Sequence, residues 1–153
     1  YNRETIESQI DNEITLSEAR KSEMAVLFID VDDFKHYNDQ YSHATGDQVL
    51  KFVARTIKGT VNEFGFAGRY GGDEFIACIR NAEINDPTRA AQDIISKLEE
   101  GFECDGVHLT VSVSIGISMI KDDYNTRVEY IIGKADDAMY SVKKNGKSNY
   151  AFI

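Results

Sequence analysis

Apolar positions along the chain follow two periods, and each predicts a different element. Ile6, Ile10 and Ile14 recur every four residues, which predicts a helix from about Glu4 to Ala19. Met24 to Ile29 is an uninterrupted apolar run of six residues ending in acids, short enough for a buried strand. Val49, Leu50, Val53 and Ile57 mark one face of a helix between Gly46 and Thr60, with Asp47 near its positive end. Phe64, Phe66 and Tyr70 precede Gly71-Gly72, and Phe75 to Ile79 follow, the pattern of a hairpin. Asp86-Pro87 predicts a helix start with Asp as N-cap and Pro at the first helical position, and Gly101 predicts its stop. From Val107 to Met119, seven apolar residues hold every odd position, which predicts one long strand. Val128, Ile131, Ile132, Ala135, Ala138, Met139 and Val142 predict a helix ending near Asn145-Gly146, and the tail from Asn149 to Ile153 is β-prone. The order is helix, strand, helices, hairpin, helix, strand, helix, strand. It predicts an α+β fold with helices packed on a largely antiparallel sheet.

Composition narrows the class. The 153 residues are 42% hydrophobic and 28% charged, a globular balance that suits one domain across residues 1–153. No apolar stretch approaches the roughly 20 residues that span a bilayer. Seventeen basic against 26 acidic residues give a formal charge of −9. So acidic a surface is a poor partner for nucleic acid or anionic lipid, yet a few local cations or bound metal ions can still admit a small anionic ligand. Cys78 and Cys104 match neither a disulfide framework nor a zinc site, and a reducing compartment is expected.

Four groups of residues carry candidate chemistry. Asp30-Val31-Asp32-Asp33 closes the apolar strand; alternation puts Asp30 and Asp32 on one face, either to hold a hard cation or as a solvated acidic loop. Gly71-Gly72-Asp73-Glu74 places two acids beside two glycines, either a ligand approach or a type I′ turn with exposed charge. Lys35, Asn38, His43 and Asp47 offer a phosphate-binding cation and groups able to read a base edge; singly, each suits a polar surface or a cap. Lys143, Lys144 and Lys147 gather at a helix C-terminus, where the dipole alone favours them.

Taken together, these blocks resemble the GGDEF domain, the catalytic domain of bacterial diguanylate cyclases. Phe28-Ile-Asp-Val-Asp-Asp-Phe-Lys35 with Asn38-Asp39, His43-x-x-Gly46-Asp47, Arg69-Tyr-Gly-Gly-Asp-Glu-Phe75, Ser114-Ile-Gly-Ile117 and Ala135-Asp-x-Ala-Met-Tyr140 occur in the family's order and spacing. Asn2-Arg3 resembles the end of the family's N-terminal signature, so a longer parent with an upstream sensor or dimerisation domain is expected. The resemblance implies a palm-like fold with a five-stranded, mostly antiparallel sheet. It implies condensation of two GTP into cyclic di-GMP and two pyrophosphates, at the interface of a transient dimer with a second GGDEF subunit. It also implies two Mg²⁺ ions per site, with Mn²⁺ as an alternative. Asp30, the carbonyl of Val31, Asp73 and, less directly, Glu74 are the implied metal ligands, and Asp73 is the implied proton acceptor. Asn38 and Asp47 are implied to read guanine, with His43, Gly71, Gly72 and the Phe34 backbone lining the nucleotide. Lys35, Lys143 and Lys147 are implied to hold phosphates, with Lys35 also stabilising transition-state charge. A cytoplasmic domain without nucleic-acid or membrane contact is expected.

Three departures from the family pattern stand out. Ser42 replaces a Gly before His43, and Lys147 replaces Arg, keeping charge but losing the bidentate fork. The Arg-x-x-Asp product-inhibition motif is Asn62-Glu63-Phe64-Gly65 here, with both key residues missing. Rival readings are a catalytically silent GGDEF module that binds GTP or a partner and regulates a neighbouring domain, and a cyclase making mixed dinucleotides, which Asp47 argues against.

Overall fold

The computed structural model describes residues 2–153. The elements are α1 (Arg3–Arg20), β1 (Met24–Val31), α2 (Phe34–Gln40), α3 (His43–Val61), β2 (Gly65–Arg69), β3 (Glu74–Arg80), α4 (Pro87–Glu100), β4 (Phe102–Cys104), β5 (Val107–Leu109), β6 (Val113–Ile120), α5 (Val128–Lys144) and β7 (Tyr150–Phe152). Five strands form one sheet in the order β2-β3-β1-β6-β7, while β4 and β5 form a separate ribbon. Every pairing in the main sheet is antiparallel except β6 with β7. This is the α+β architecture that the element order predicts, with the palm-like five-stranded sheet that the resemblance implies.

The sheet is buried on both faces, which explains the unbroken apolar run of β1. Ala25, Leu27, Ile29 and Val31 point into a core shared with Val49, Val53 and Ile57 of α3 and Ile94 and Leu98 of α4. Met24, Val26 and Phe28 point the other way, onto Ile6, Ile10 and Ile14 of α1 and Ile131, Ile132 and Met139 of α5. Each large aliphatic side chain so buried contributes about 1.5–3 kcal/mol. The α1 face also carries Glu13, which is buried and accepts from Arg80 Nε at 2.7 Å, tying the helix to β3.

Helix limits follow local chemistry. Asp86 accepts from Thr88 N–H at 2.9 Å with Pro87 at the first position, and Gly101 ends α4 at φ 81°. Ser42 caps α3, which starts at His43, by accepting from Thr45 N–H at 3.1 Å.

One prediction is corrected. The odd-position pattern from Val107 to Met119 is not one strand but β5 and β6, with a break between them. Val111 N–H leaves the ladder for Leu98 O at 2.9 Å, and β5 pairs with β4. Alternation continues through the break because Leu109, Val111 and Val113 all face the same core, so the period carries no mark of the change in partner. Both cysteines are free and buried. No helix among the described residues is long and apolar enough to cross a membrane.

Candidate active site at the ends of the central strands

The register sets the site. Asp30 lies opposite Glu74 on β3 and Ser114 on β6. Val31 N–H then donates to Asp73 O at 3.2 Å and Asp32 N–H to Ser112 O at 2.8 Å, so the end of β1 is held on both sides. Arg69 clasps the hairpin tip: Nε donates to the carbonyls of Gly71 and Gly72 at 3.1 and 3.0 Å, and Nη2 to Gly72 O. Neither Gly71 nor Gly72 has a positive φ, which excludes the type I′ turn. Their smallness serves close approach instead. A Cβ on Gly71 would press on Glu74 Oε1, and Gly72 faces open space. The hairpin is also tied to α1, for Tyr70 Oη donates to Glu7 Oε1 at 2.7 Å and Arg3 lies over the Tyr70 ring at 4.4 Å.

The acids of the β1 end meet the basic C-terminus of α5. Lys143 Nζ lies 3.1 Å from Asp30 Oδ2, 3.3 Å from Asp32 Oδ1 and 3.4 Å from Val31 O. This confirms that Asp30 and Asp32 share a face. Asp32 is buried and accepts from Ser112 Oγ at 2.5 Å, Ser114 Oγ at 2.7 Å and Ser148 N–H at 3.1 Å. Burial disfavours its charge, but these donors and the Lys143 ammonium outweigh that and hold its carboxyl below the usual range. Asp30 goes the other way. Burial pushes it up to about 6, the Lys143 ammonium opposes this, and the Asp73 carboxylate reinforces it. Glu74 is raised by burial and then by the charges of Asp136 and Asp73. Asp33, in left-handed backbone at φ 53°, starts α2 and accepts from Lys147 Nζ at 2.8 Å.

Beside these carboxylates lies an open cavity of about 350 Å³, lined by Phe34, Lys35, Asn38, His43, Asp47, Leu50, Arg69, Gly72 and Asp73. α2 and the first turns of α3 supply one wall. Gly46 permits this, since a Cβ there would overlap Asn38 Oδ1. Tyr37 Oη donates to Thr110 O at 2.7 Å and anchors α2 from its far side.

Every residue proposed from the sequence as a base reader is thus in one cavity, together with Phe34, Lys35, Gly72 and Asp73. Gly71, Lys143 and Lys147 lie outside its lining; the two lysines are paired with the acids at the end of β1. Glu74 is turned toward Gly71 and the charge of Asp136. Two lining residues, Arg69 and Leu50, carry no role in the sequence reading. Arg69 stands directly before the glycine hairpin, a signal that was available. Leu50 carries only the apolar-face signal of α3 in the sequence. Asp32, which the sequence offers with Asp30 as a cation holder or as part of a solvated loop, is instead buried against serines from segments far away in sequence.

The residues fit a divalent cation on their own chemistry. Asp30 Oδ1 is buried with no hydrogen-bond partner among the described residues, and an ammonium already lies against Asp30 Oδ2 and Val31 O. Among the described residues no three acidic, His or Cys side chains gather into a complete ligand cage. Mg²⁺ does not require such a cage, since it takes one or two carboxylates and completes its shell with substrate phosphates and water.

Comparison with known proteins agrees with this geometry. The family model described as "Diguanylate cyclase, GGDEF domain" matches residues 1–149. Diguanylate cyclase A of Treponema denticola is 38% identical over 136 residues, covering 88% of this chain and 36% of that protein. Diguanylate cyclase DosC of Escherichia coli K12 is 34% identical over 151 residues, covering 96% of this chain and 32% of that protein. The chain therefore spans about a third of the length of these two relatives. Among solved structures, the GGDEF domain of PA1120 (YfiN or TpbB) from Pseudomonas aeruginosa superposes with a TM-score of 0.92 at 32% identity, covering 100% of this chain and 96% of that one. From the model match, these relatives and the shared fold, the chain belongs to the GGDEF-domain family of diguanylate cyclases.

Proposed function

We propose that this domain condenses two GTP into cyclic di-GMP with release of two pyrophosphates. The observation that carries the reading is the cavity holding Lys35, Asn38, His43 and Asp47 next to Asp73 and the Asp30 end of β1. Asp47 accepts from the adjacent N–H donors of a guanine edge, and Asn38 adds a second polar contact beside it. His43 closes the same wall, Lys35 and the Phe34 backbone meet the triphosphate, and Arg69 keeps the Gly71-Gly72 tip in place. Asp30, Val31 O and Asp73 would hold Mg²⁺ or Mn²⁺, with Glu74 reserved for a second ion. Such ions supply charge neutralisation at the α-phosphate and pyrophosphate and acidify the ribose 3′-OH. Asp73 would accept that proton. Each subunit offers half of the reaction, since one pocket holds one GTP and the attacking 3′-OH comes from a second subunit's nucleotide. Lys143 and Lys147 serve phosphates from the α5 side once nucleotide is present.

The silent-module reading has one observation in its favour, the Glu74 carboxylate turned toward Gly71 and the charge of Asp136. Incubation with GTP and Mg²⁺ at high protein concentration, followed by mass analysis, separates the two. Cyclic di-GMP should form, with a specific activity that rises with protein concentration. Asp30→Asn and Asp73→Asn should each lower the rate on the order of a hundredfold or more with unchanged melting behaviour. GTP binding without product at any concentration would support the silent module instead.

A further inference from the structure

The ammonium of Lys143 occupies a position of its own. It touches three oxygens, Asp30 Oδ2, Asp32 Oδ1 and Val31 O, at 3.1, 3.3 and 3.4 Å. Two of the three belong to residues proposed above as metal ligands. An ammonium and a divalent cation cannot share these oxygens, because both need the same small space and repel each other. We propose that Lys143 is the resident counter-ion of the metal position, so that a divalent cation enters only together with nucleotide, whose phosphates draw the ammonium away. The inference rests on the reading of Asp30 and Val31 as metal ligands.

The surroundings support a replaceable cation rather than a permanent ion pair. Asp32 is anchored by Ser112, Ser114 and Ser148 and keeps its position whether or not Lys143 stays. Asp30 is the opposite case. Its Oδ1 is buried and unpartnered among the described residues, so the ammonium leaves the carboxylate half satisfied. The Lys143 side chain keeps 21% of its surface exposed, at the C-terminal turn of α5, which leaves it a path outward. Lys147, the neighbouring cation, is engaged with Asp33 at 2.8 Å and does not compete for Asp30. Two carboxylates, of Asp30 and Asp32, face one ammonium here. A divalent ion in its place, with the lysine moved onto a triphosphate, balances the charge of both carboxylates.

The test is Mn²⁺ binding to this chain, read from the loss of the free-ion EPR signal, so that no turnover is needed. Without nucleotide, Lys143→Met should bind Mn²⁺ at least tenfold more tightly than the unmodified chain. Lys143→Arg, which keeps the charge, should stay weak. A non-hydrolysable GTP analogue should remove the difference after correction for its own Mn²⁺ affinity. Adding Asp30→Asn to Lys143→Met should abolish the gain. Equal Mn²⁺ affinity of the unmodified chain and Lys143→Met, with Asp30→Asn weakening both, would overturn the counter-ion inference and leave the metal ligands standing. No effect of Asp30→Asn even with the analogue would overturn the metal reading and this inference with it. If Lys143→Met does not fold, Lys143→Gln takes its place. The unmodified chain alone then still decides: tight Mn²⁺ binding without nucleotide overturns the inference.

Discussion

Asn38 and Gly46 interlock across the α2–α3 corner: the Asn38 carboxamide fills the space that a side chain at position 46 would need. The neighbouring Phe34 ring closes the same spot, 3.3 Å from the position of a Cβ. A helical glycine otherwise costs about 1 kcal/mol against alanine, so its presence at position 46 of α3 serves the pocket and not the helix.

Gly46→Ala therefore separates stability from binding. Helix propensity gains about 1 kcal/mol, while overlap with Asn38 is relieved by swinging a flexible side chain. Melting temperature should change little, and GTP affinity should fall about as far as in Asn38→Ala. Asp47→Ala should erode the preference for GTP over ATP by a few kcal/mol. Competition titrations with the two nucleotides check both. Equal GTP and ATP affinity in the unmodified chain would remove these assignments.

Gly116→Ala should behave in the opposite way. A Cβ on Gly116 would overlap the backbone at Ala135 O and Met139 N of α5, which no rotamer change relieves. Pushing α5 off β6 should cost about 1–3 kcal/mol, a shift of several degrees in melting temperature. Because α5 carries Lys143, nucleotide binding should weaken along with it.

His108 gives the β4–β5 ribbon a pH dependence. Its Nδ1 lies 2.7 Å from Glu103 Oε1 and its Nε2 2.8 Å from Glu100 O at the end of α4. Both nitrogens donate only in the charged ring, and the Glu103 carboxylate, then the Glu100 carbonyl, raise its pKa. Stability from this contact is complete below the ordinary histidine pKa of about 6.5 and disappears as pH rises through the raised value. His108→Gln should lower the melting temperature at pH 5.5–6, taken as roughly one unit below that reference, and leave it nearly unchanged in alkaline buffer. An equal loss at both would contradict the assignment.

Product feedback through the Asn62–Gly65 surface should be absent. A cleft of about 540 Å³ lined by Lys58, Asn62, Gly65 and Phe66 lies there, away from the carboxylates. It lacks the Arg fork and the base-reading carboxylate of the family motif, a loss of about a thousandfold in affinity. The carboxylate is not easily restored, since a Cβ on Gly65 would overlap Cys78 O of the paired strand. Calorimetry with cyclic di-GMP should show no low-micromolar site that persists in Asp47→Ala, and Gly65→Asp should destabilise without creating one.

The sequence alone determined what is local. The acid pair and motif spacing at Asp30 and Gly71-Gly72, the Asp86-Pro87 start and Gly101 stop of α4, the apolar run of β1 and the buried face of α5 all follow from short-range chemistry or period. Only the tertiary structure decided which distant groups meet. Seven-residue α2 has no buried residue and hence no apolar face to announce its limits. The break between β5 and β6 is invisible because periodicity reports which face is buried and not which strand is the partner. Small residues at Ser114, Gly116 and Ser118 read as gaps in a strand until α5 packs against them. The contacts of Asp32 with Ser112 and Ser114 depend on the pairing of β6 with β1, and those of Asp32 with Ser148 and of Asp30 with Lys143 on where the α5 crossover returns the chain. Pairing of charges across a sheet is set by that path and by burial, which raises the cost of leaving any of them alone, and neither is written in the spacing of the residues themselves.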